Sequence, residues 1–239
     1  MKKKNWIFPL IIGLLLMITS SCSNKKNETV TDADGNVYST ITIGTQVWMV
    51  ENLKTTKYRN GDPIPNILDN TQWGNLTTGA FCNYENKTDN ANIYGRLYNW
   101  YAISDIRNLA PQGWHVATDA EWKTLTDFLG SKNTDYPGGI STTITIAGGK
   151  LKEAGLTHWK SPNTDATNEV GFTALPGGQR SSNYGYGFGR FGWFGIWWTS
   201  TAYNATNAWC RYINNDSNDM YRTNDHKEGG YSVRCIRDN

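Results

Sequence analysis

The alternation of apolar and polar residues predicts an antiparallel unit at the start of the folded part of the chain. Residues 29–53 alternate between the two classes, and Asp34 and Gly35 interrupt them at a turn position. This alternation is typical of strands with one face in a core, and Asp-Gly is a favoured turn pair. We predict a hairpin or meander with Asp32, Asp34 and Asn36 as turn residues, because no acidic residue stands where a calcium loop would close.

Two later segments show the spacing of apolar positions that is typical of helices. Residues 94–103 place their apolar side chains on one helical face, which predicts a helix. A second helix is predicted after Thr118, because Thr118 and Glu121 form a capping box, and Gly130 ends it. The run 114–117 that leads into this helix is predicted to be a strand.

The last third of the chain is rich in glycine, aromatic residues and turns. Residues 177–198 lack the Gly-Lys-Ser/Thr sequence of a phosphate-binding loop. We predict strands around residues 197–201, 208–213 and 231–236, with an Asn- and Asp-rich connection between the last two. Helices and antiparallel strands in this order predict an α+β domain.

The first 28 residues indicate a targeting segment. A basic run at Lys2–Lys4 precedes an apolar stretch and then Cys22, which is the layout of a lipoprotein signal. The stretch of about 13 residues would form a helix of roughly 20 Å, too short for a hydrocarbon core of about 30 Å. We predict a signal peptide over 1–21, a lipidated Cys22, a polar tether over 22–28 and one folded domain over 29–239. The expected location is the outer membrane, on either face, through the lipid anchor.

The charge of the mature chain argues against a nucleic-acid partner. The predicted signal removes three of the 23 basic residues and none of the 21 acidic ones, so the formal charge changes from +2 to −1. A protein that binds nucleic acid needs a basic surface, and no Lys/Arg stripe remains. We expect a monomer that binds no nucleic acid.

A series of short motifs runs along the predicted domain. They are Gly35-Asn36-Val37-Tyr38, Ile43-Gly44, Gln46-Val47-Trp48-Met49, Glu51-Asn52-Leu53, Tyr94-Gly95-Arg96-Leu97-Tyr98-Asn99-Trp100-Tyr101-Ala102, Pro111, Gly113-Trp114-His115-Val116, Glu121-Trp122, Gly149-Lys150-Leu151-Lys152, Gly171-Phe172, Leu175-Pro176-Gly177-Gly178, Trp198-Thr199-Ser200-Thr201 and Ser232-Val233-Arg234-Cys235. In these motifs the chain resembles the Fibrobacter succinogenes major paralogous domain, a family frequent in bacterial lipoproteins. The resemblance implies a C-type-lectin-like fold with two helices, short twisted antiparallel sheets and long loops. It also implies that the C-terminal strand lies beside the N-terminal strands and closes the domain.

The resemblance further implies a disulfide bond at the end of the chain. Related sequences often carry a cysteine before Pro111 that would pair with Cys235, but Ala110 stands there in this chain. The substitute partner that we expect for Cys235 is Cys210, which leaves Cys82 free or buried.

An enzyme is one hypothesis, because the implied superfamily includes formylglycine-generating oxidases that depend on cysteine. Such chemistry needs a reactive thiol with a close partner, and the cysteines lie far apart in strand-like runs. His115, His158 and His226 lack the spacing of metal ligands, and no Ser/His/Asp signature occurs. We expect no catalytic residue.

A structural calcium ion is a second hypothesis. The segment that contains Asn163, Asp165, Asn168 and Glu169 offers several oxygen ligands in a short stretch. The alternative is an Asx-rich loop held by its own hydrogen bonds. Apart from this possible ion we expect no cofactor.

Ligand binding by exposed aromatic and amide side chains is the third hypothesis, and we favour it. Tyrosine and tryptophan give large contact areas at a low entropic cost, asparagine gives adaptable hydrogen bonds, and flat rings can stack on sugars. Trp197, Trp198 and Trp209 are expected in the core. We predict a non-catalytic module that binds a glycan or a protein; a structural envelope protein is the alternative. The candidate ligand-binding residues are Tyr184, Tyr186, Phe191, Trp193, Tyr203, Asn214, Asn215, Asn218 and Tyr221.

Overall fold

The computed structural model describes Met1 and residues 28–130, 146–182 and 187–238. Its helices are α1 (Asn70–Gly74), α2 (Thr88–Tyr94), α3 (Trp100–Ile103), α4 (Asp119–Phe128) and α5 (Ala147–Leu151). Its strands are β1 (Thr29–Thr31), β2 (Val37–Ile43), β3 (Gln46–Met49), β4 (Phe81–Cys82), β5 (Leu97–Tyr98), β6 (Trp114–Val116), β7 (Gln179–Arg180), β8 (Phe188–Gly189), β9 (Phe194–Ala202), β10 (Asn207–Asn214), β11 (Tyr221–His226) and β12 (Cys235–Arg237). The predicted α+β class is confirmed.

The N-terminal strands form the predicted meander and belong to a five-stranded sheet. Strands β1, β2 and β3 pair antiparallel in chain order. At the first turn, Asp32 Oδ1 accepts hydrogen bonds from the backbone nitrogens of Asp34 and Asn36, each at 2.9 Å. Gly44 makes the second turn with a φ of 61°. The interpretation of this polar segment as a turn is therefore confirmed.

The C-terminal strand completes this sheet, as the resemblance implied. The strand order is β1-β2-β3-β12-β6, so the last strand lies between two strands from the first half of the chain. Ile236 pairs with Trp48 on one side and with His115 on the other. A strand with neighbours on both sides is part of the fold and not a tail.

One of the two predicted helices is confirmed and the other is wrong. Helix α4 has both hydrogen bonds of the capping box between Thr118 and Glu121. The predicted helix over 94–103 is divided. Helix α2 ends at Tyr94 and is capped by Gly95, which has a φ of 76°. Tyr98 in β5 then pairs with Phe81 in β4. The pairing partner lies too far away along the chain for the apolar spacing of this segment to reveal it.

A second, three-stranded sheet has the order β11-β10-β9. Strands β9 and β10 agree with two of the predicted strands. The third strand, β11, occupies residues 221–226, which we predicted to be a connection. Its residues are half-buried or exposed at the sheet edge, where polar side chains remain solvated, so its Asn and Asp content gives no apolar pattern. The predicted strand 231–236 is shorter in the structure, because β12 begins at Cys235.

Aromatic rings fill the core where β3, α4 and β9 meet. The ring centroids of Trp48 and Trp122 lie 4.9 Å apart, and those of Trp122 and Trp197 lie 6.0 Å apart. The expected burial of three tryptophans is confirmed, because the exposed fraction is 0% for Trp197 and Trp198 and 9% for Trp209.

A buried asparagine joins distant parts of the chain. Asn52 Oδ1 accepts hydrogen bonds from Trp197 Nε1 at 2.8 Å and from Arg234 Nε at 3.1 Å. Its amide nitrogen donates to the backbone oxygen of Tyr94 at 2.8 Å. Since all four residues are buried, one amide satisfies polar groups from the start, the middle and the end of the domain.

Candidate ligand-binding face

Three half-buried aromatic rings form a row across one face of the three-stranded sheet. The row consists of Phe194 on β9, Tyr212 on β10 and Tyr221 on β11, and we call it the aromatic row. The rings of Tyr212 and Tyr221 are stacked, with centroids 4.7 Å apart and planes at 11°. The Phe194 centroid lies 5.9 Å from that of Tyr212. Because each ring comes from a hydrogen-bonded strand, the row is held rigidly.

The hydroxyl groups of the row differ in their surroundings. Tyr221 donates a hydrogen bond to Ser217 Oγ at 3.1 Å. Within the described ranges no side chain or backbone group bonds to the hydroxyl of Tyr212, and this atom is not enclosed. Burial of the ring raises the pKa of Tyr212, so the hydroxyl stays protonated at neutral pH and can donate to a ligand.

Charged side chains of opposite sign lie at the two ends of the aromatic row. At the β9 end, the exposed guanidinium of Arg190 lies over the Phe194 ring, 4.6 Å from its centroid. At the β11 end, a carboxylate oxygen of Asp219 accepts hydrogen bonds from Ser217 Oγ and from Tyr221, at 3.3 and 3.4 Å. The aromatic row therefore has charged groups at both ends, with the positive end at Arg190.

A buried lysine fixes the loop that follows β10. Lys152 Nζ donates to the backbone oxygens of Asn214 at 3.2 Å and of Ser217 at 2.8 Å. The Lys152 side chain is fully buried, and desolvation lowers its pKa to about 8. Asn215 Nδ2 donates to the backbone oxygen of Ser161 at 2.8 Å, which is a second contact between this loop and residues 152–161.

The predicted asparagines of this loop are therefore partly structural. Asn215 is buried and takes part in the contact just described. Asn214 ends β10 beside Phe194, and Asn218 Nδ2 donates to Asp165 Oδ2 at 2.8 Å. These residues border the aromatic row, but their main contacts order the loop.

The predicted aromatic ligand-binding residues are not in one place. Tyr184 and Tyr186 lie outside the described residues. Trp193 and Tyr203 are 49% and 43% exposed, in agreement with the expectation. The prediction that Phe191 is exposed is wrong.

The Phe191 ring is packed between two tyrosines. It stacks on Tyr84 with a centroid distance of 4.5 Å and meets Tyr94 edge-on at 4.6 Å. A Cβ at Gly178 would lie 2.9 Å from the Tyr84 ring and 3.0 Å from the Phe191 nitrogen. The absence of a side chain at Gly178 thus permits close packing of the Phe191 ring.

Tyr203 belongs to a different surface, on the opposite face of the three-stranded sheet. Its ring meets Trp209 edge-on, with centroids 4.8 Å apart. Arg222 lies 3.4 Å from the Trp209 centroid and forms a 2.9 Å ion pair with Asp119. Since alternate residues of a strand face opposite sides, Trp209 and Tyr212 of β10 cannot contribute to one flat site.

The predicted calcium ligands do not converge in the structure. The part of the chain that is described contains no group of three or more His, Cys, Asp or Glu side chains suited to a metal ion. The contacts of residues 163–169 agree with the alternative, which is a loop held by its own hydrogen bonds. Bound calcium stays a prediction. The separate partners are Glu153 O and Gly155 O for Asn163, Asn218 for Asp165, Thr173 for Asn168 and Lys150 for Glu169.

The expected disulfide bond is not formed, which corrects that prediction. Cys82, Cys210 and Cys235 are free and buried. Cys210 lies in the three-stranded sheet, paired with Trp198 and Thr223, whereas Cys235 opens a strand of the five-stranded sheet. Each thiol packs as a small apolar group in its own sheet. Burial raises the pKa of all three thiols, that of Cys82 to about 12.

A polar cluster outside this face surrounds a histidine. His115 contacts Glu121 through Nε2 at 2.8 Å and Asp238 through Nδ1 at 2.6 Å. The hydrogen bond with Glu121, followed by that with Asp238, raises the pKa of His115. The cluster joins β6, α4 and the C-terminal end, so the expectation that His115 is structural agrees with its contacts.

The described part of the chain is thus an α+β domain with a rigid aromatic face. The chain belongs to the family of the Fibrobacter succinogenes major domain, whose model matches residues 41–237. The predicted family is confirmed. No curated protein and no solved structure matches the chain. Among the described residues, no helix is long and apolar enough to cross a membrane. The predicted signal peptide and Cys22 lie outside the described residues.

Sequence reasoning missed Tyr212 and Arg190. Tyr212 follows Cys210 at the two-residue spacing of a strand face, which could have indicated that both lie on the same side of β10. The partner strand was not predicted, however, so the stack with Tyr221 could not be inferred.

Proposed function

We propose that this protein is a lipid-anchored, non-catalytic binding module whose ligand is a glycan. The predicted anchor at Cys22 would hold it at the outer membrane, and the aromatic row would be its binding surface. We also propose a C-type-lectin-like fold, which is supported by the adjacent N- and C-terminal strands and by the second sheet built from the loop-rich C-terminal third.

The observation that carries this proposal is the stacked, half-exposed pair of Tyr212 and Tyr221. The stacked pair leaves part of its apolar ring surface and its hydroxyls accessible, which suits a ligand that has both apolar C–H faces and many hydroxyls. Rings that are already fixed by strand pairing lose little entropy when a ligand binds. A sugar meets these requirements better than an apolar molecule, because the row ends in charged groups.

The contacts of the cysteines and histidines support a non-catalytic role. A nucleophilic thiol needs a lowered pKa and access to substrate, but the three described thiols are buried and their pKa values are raised. This weakens the alternative of a cysteine-dependent oxidase. The His115 ring has both nitrogens engaged by carboxylates, which suits a structural role.

A glycan array with full-length protein in detergent tests the proposal. The wild type should bind at least one glycan, and Tyr221→Ala should weaken that binding at least about 30-fold, since truncation of a hot-spot ring costs at least about 2 kcal/mol. Tyr212→Phe keeps the ring and tests the hydroxyl alone. The matched control is Tyr203→Ala, an exposed tyrosine on the opposite sheet face, which should bind like the wild type.

Two results would contradict the proposal. If no glycan binds, the alternative of a structural envelope protein or a protein-binding module is favoured. If Tyr221→Ala binds normally while Tyr203→Ala does not, the binding face is the opposite one.

The lipid anchor is tested separately by metabolic labelling with an alkyne fatty acid. The wild type should incorporate the label and fractionate with the outer membrane, whereas Cys22→Ala should do neither, because its acceptor thiol is absent. A Cys82→Ala variant is the matched control and should label normally. Equal labelling of wild type and Cys22→Ala would contradict the assignment.

A further inference from the structure

We infer that the glycan bound by the aromatic row is acidic, with a sugar carboxylate that pairs with Arg190. This inference rests on the proposed function and adds the chemical class of the ligand. Two observations support an acidic ligand: the opposite charges at the two ends of the row, and the absence of an ion-pair partner for the Arg190 guanidinium among the described residues.

Arg190 carries a charge that has no carboxylate partner among the described residues. Within residues 28–130, 146–182 and 187–238, its guanidinium forms no ion pair and no side-chain hydrogen bond, and its contact is with the Phe194 ring. Its donors are therefore available to a ligand lying on the row.

Two other arginines near the same sheet already have a carboxylate partner, which they share. Arg211 pairs with Asp119 at 2.7 Å, and Arg222 pairs with the same carboxylate at 2.9 Å. Both belong to the opposite face with Trp209. Arg190, which has no carboxylate partner among the described residues, lies instead on the face that carries the stacked tyrosines.

The geometry also sets the direction in which an acidic sugar would lie. A guanidinium binds a carboxylate through paired, charge-assisted hydrogen bonds, and it is weakly hydrated. At the other end of the row, Asp219 would repel a carboxylate and accept a hydroxyl. The ligand carboxylate would therefore lie at the Phe194 end, and the sugar ring would lie over Tyr212 and Tyr221.

The ligand class that fits both the charge and the rings is a uronic acid. A carboxylate attached directly to a sugar ring can reach Arg190 while the ring stays on the row. A neutral sugar would leave the guanidinium without a partner, and a small carboxylate without a ring would not use the tyrosines. Charge and ring are both required for tight binding.

The test compares two probes with the same sugar ring, of which one carries a charged carboxylate and the other a neutral ester: galacturonic acid and its methyl ester. Calorimetric titration uses full-length protein in detergent at low salt. The wild type should bind the acid at least about tenfold more tightly than the ester, which corresponds to one charge-assisted contact. Arg190→Gln should bind both probes with the weaker affinity. The matched control, Arg237→Gln, removes an exposed arginine far from the row and should preserve the preference.

The outcomes separate this inference from the proposed function. If acid and ester bind equally, or if Arg190→Gln keeps the preference, the acidic ligand class is wrong even where Tyr221→Ala still abolishes binding. If neither probe binds, the inference is also overturned, and the glycan array with Tyr221→Ala then decides the proposed function independently.

Discussion

Replacement of Asn52 by alanine should strongly destabilise the protein. The substitution removes an acceptor shared by Trp197 and Arg234 and a donor to the backbone oxygen of Tyr94. Three buried polar groups would then lose a partner. Each such loss costs about 1 to 3 kcal/mol, and a water admitted into the vacated space recovers part of it.

We therefore expect the free energy of unfolding to fall by about 3 to 5 kcal/mol, a large share of the 5 to 15 kcal/mol that stabilises a typical domain. In a chain of this size, 1 kcal/mol shifts the melting temperature by about 2 to 4 °C, so the expected decrease is roughly 6 to 20 °C. Thermal unfolding of the full-length protein in detergent, followed by near-UV circular dichroism, measures it.

Two further variants make this prediction specific. Asn66→Ala is the matched control, because this asparagine is exposed, and its melting temperature should stay near that of the wild type. Asn52→Asp keeps the oxygen that accepts from Trp197 and places a carboxylate beside Arg234, so it should lose less stability than Asn52→Ala. A melting temperature of Asn52→Ala equal to that of the Asn66→Ala control would refute the role of this amide in closing the domain.

Two more predictions concern titration and thiol chemistry. The pKa of His115 is raised above 6.5 by its two carboxylate partners, so the stabilisation by the imidazolium is complete below pH 6.5 and is lost as the pH rises through the raised pKa. The difference in melting temperature between wild type and His115→Gln should thus shrink as the pH rises from about 6 through the raised pKa of His115; a constant difference would contradict this. Iodoacetamide should leave Cys82, Cys210 and Cys235 unmodified in the folded protein and modify all three after unfolding without reductant, as peptide masses can show. Protection of two of them after unfolding would indicate a disulfide.

The sequence was most informative where a signal is local. The Thr118 capping box predicts the start of α4, because the residues that satisfy the first turn lie within that turn. The turn around Asp34 is likewise set by neighbouring residues. Such features need no knowledge of the remainder of the fold.

The errors occurred where distant residues decide the structure. The apolar spacing over 94–103 suggested one helix, but Tyr98 pairs with Phe81 and Tyr231, which the spacing does not contain. The strand 221–226 lies at the edge of its sheet, where it pairs with β10. Its side chains stay partly solvated there, so the strand has little apolar character. The aromatic row depends on that strand. The composition therefore predicted that aromatic residues bind the ligand, but it could not show which of them lie together.

The position of the ligand on the aromatic row can be measured most directly by hydroxyl-radical footprinting. Full-length protein is oxidised with and without the glycan that binds most tightly on the array, and the oxidation of individual tyrosines is quantified by mass spectrometry. We predict that the glycan protects Tyr212 and Tyr221 and leaves Tyr203 unchanged. Protection of Tyr203, with unchanged oxidation of Tyr212 and Tyr221, would contradict the assignment of the binding face.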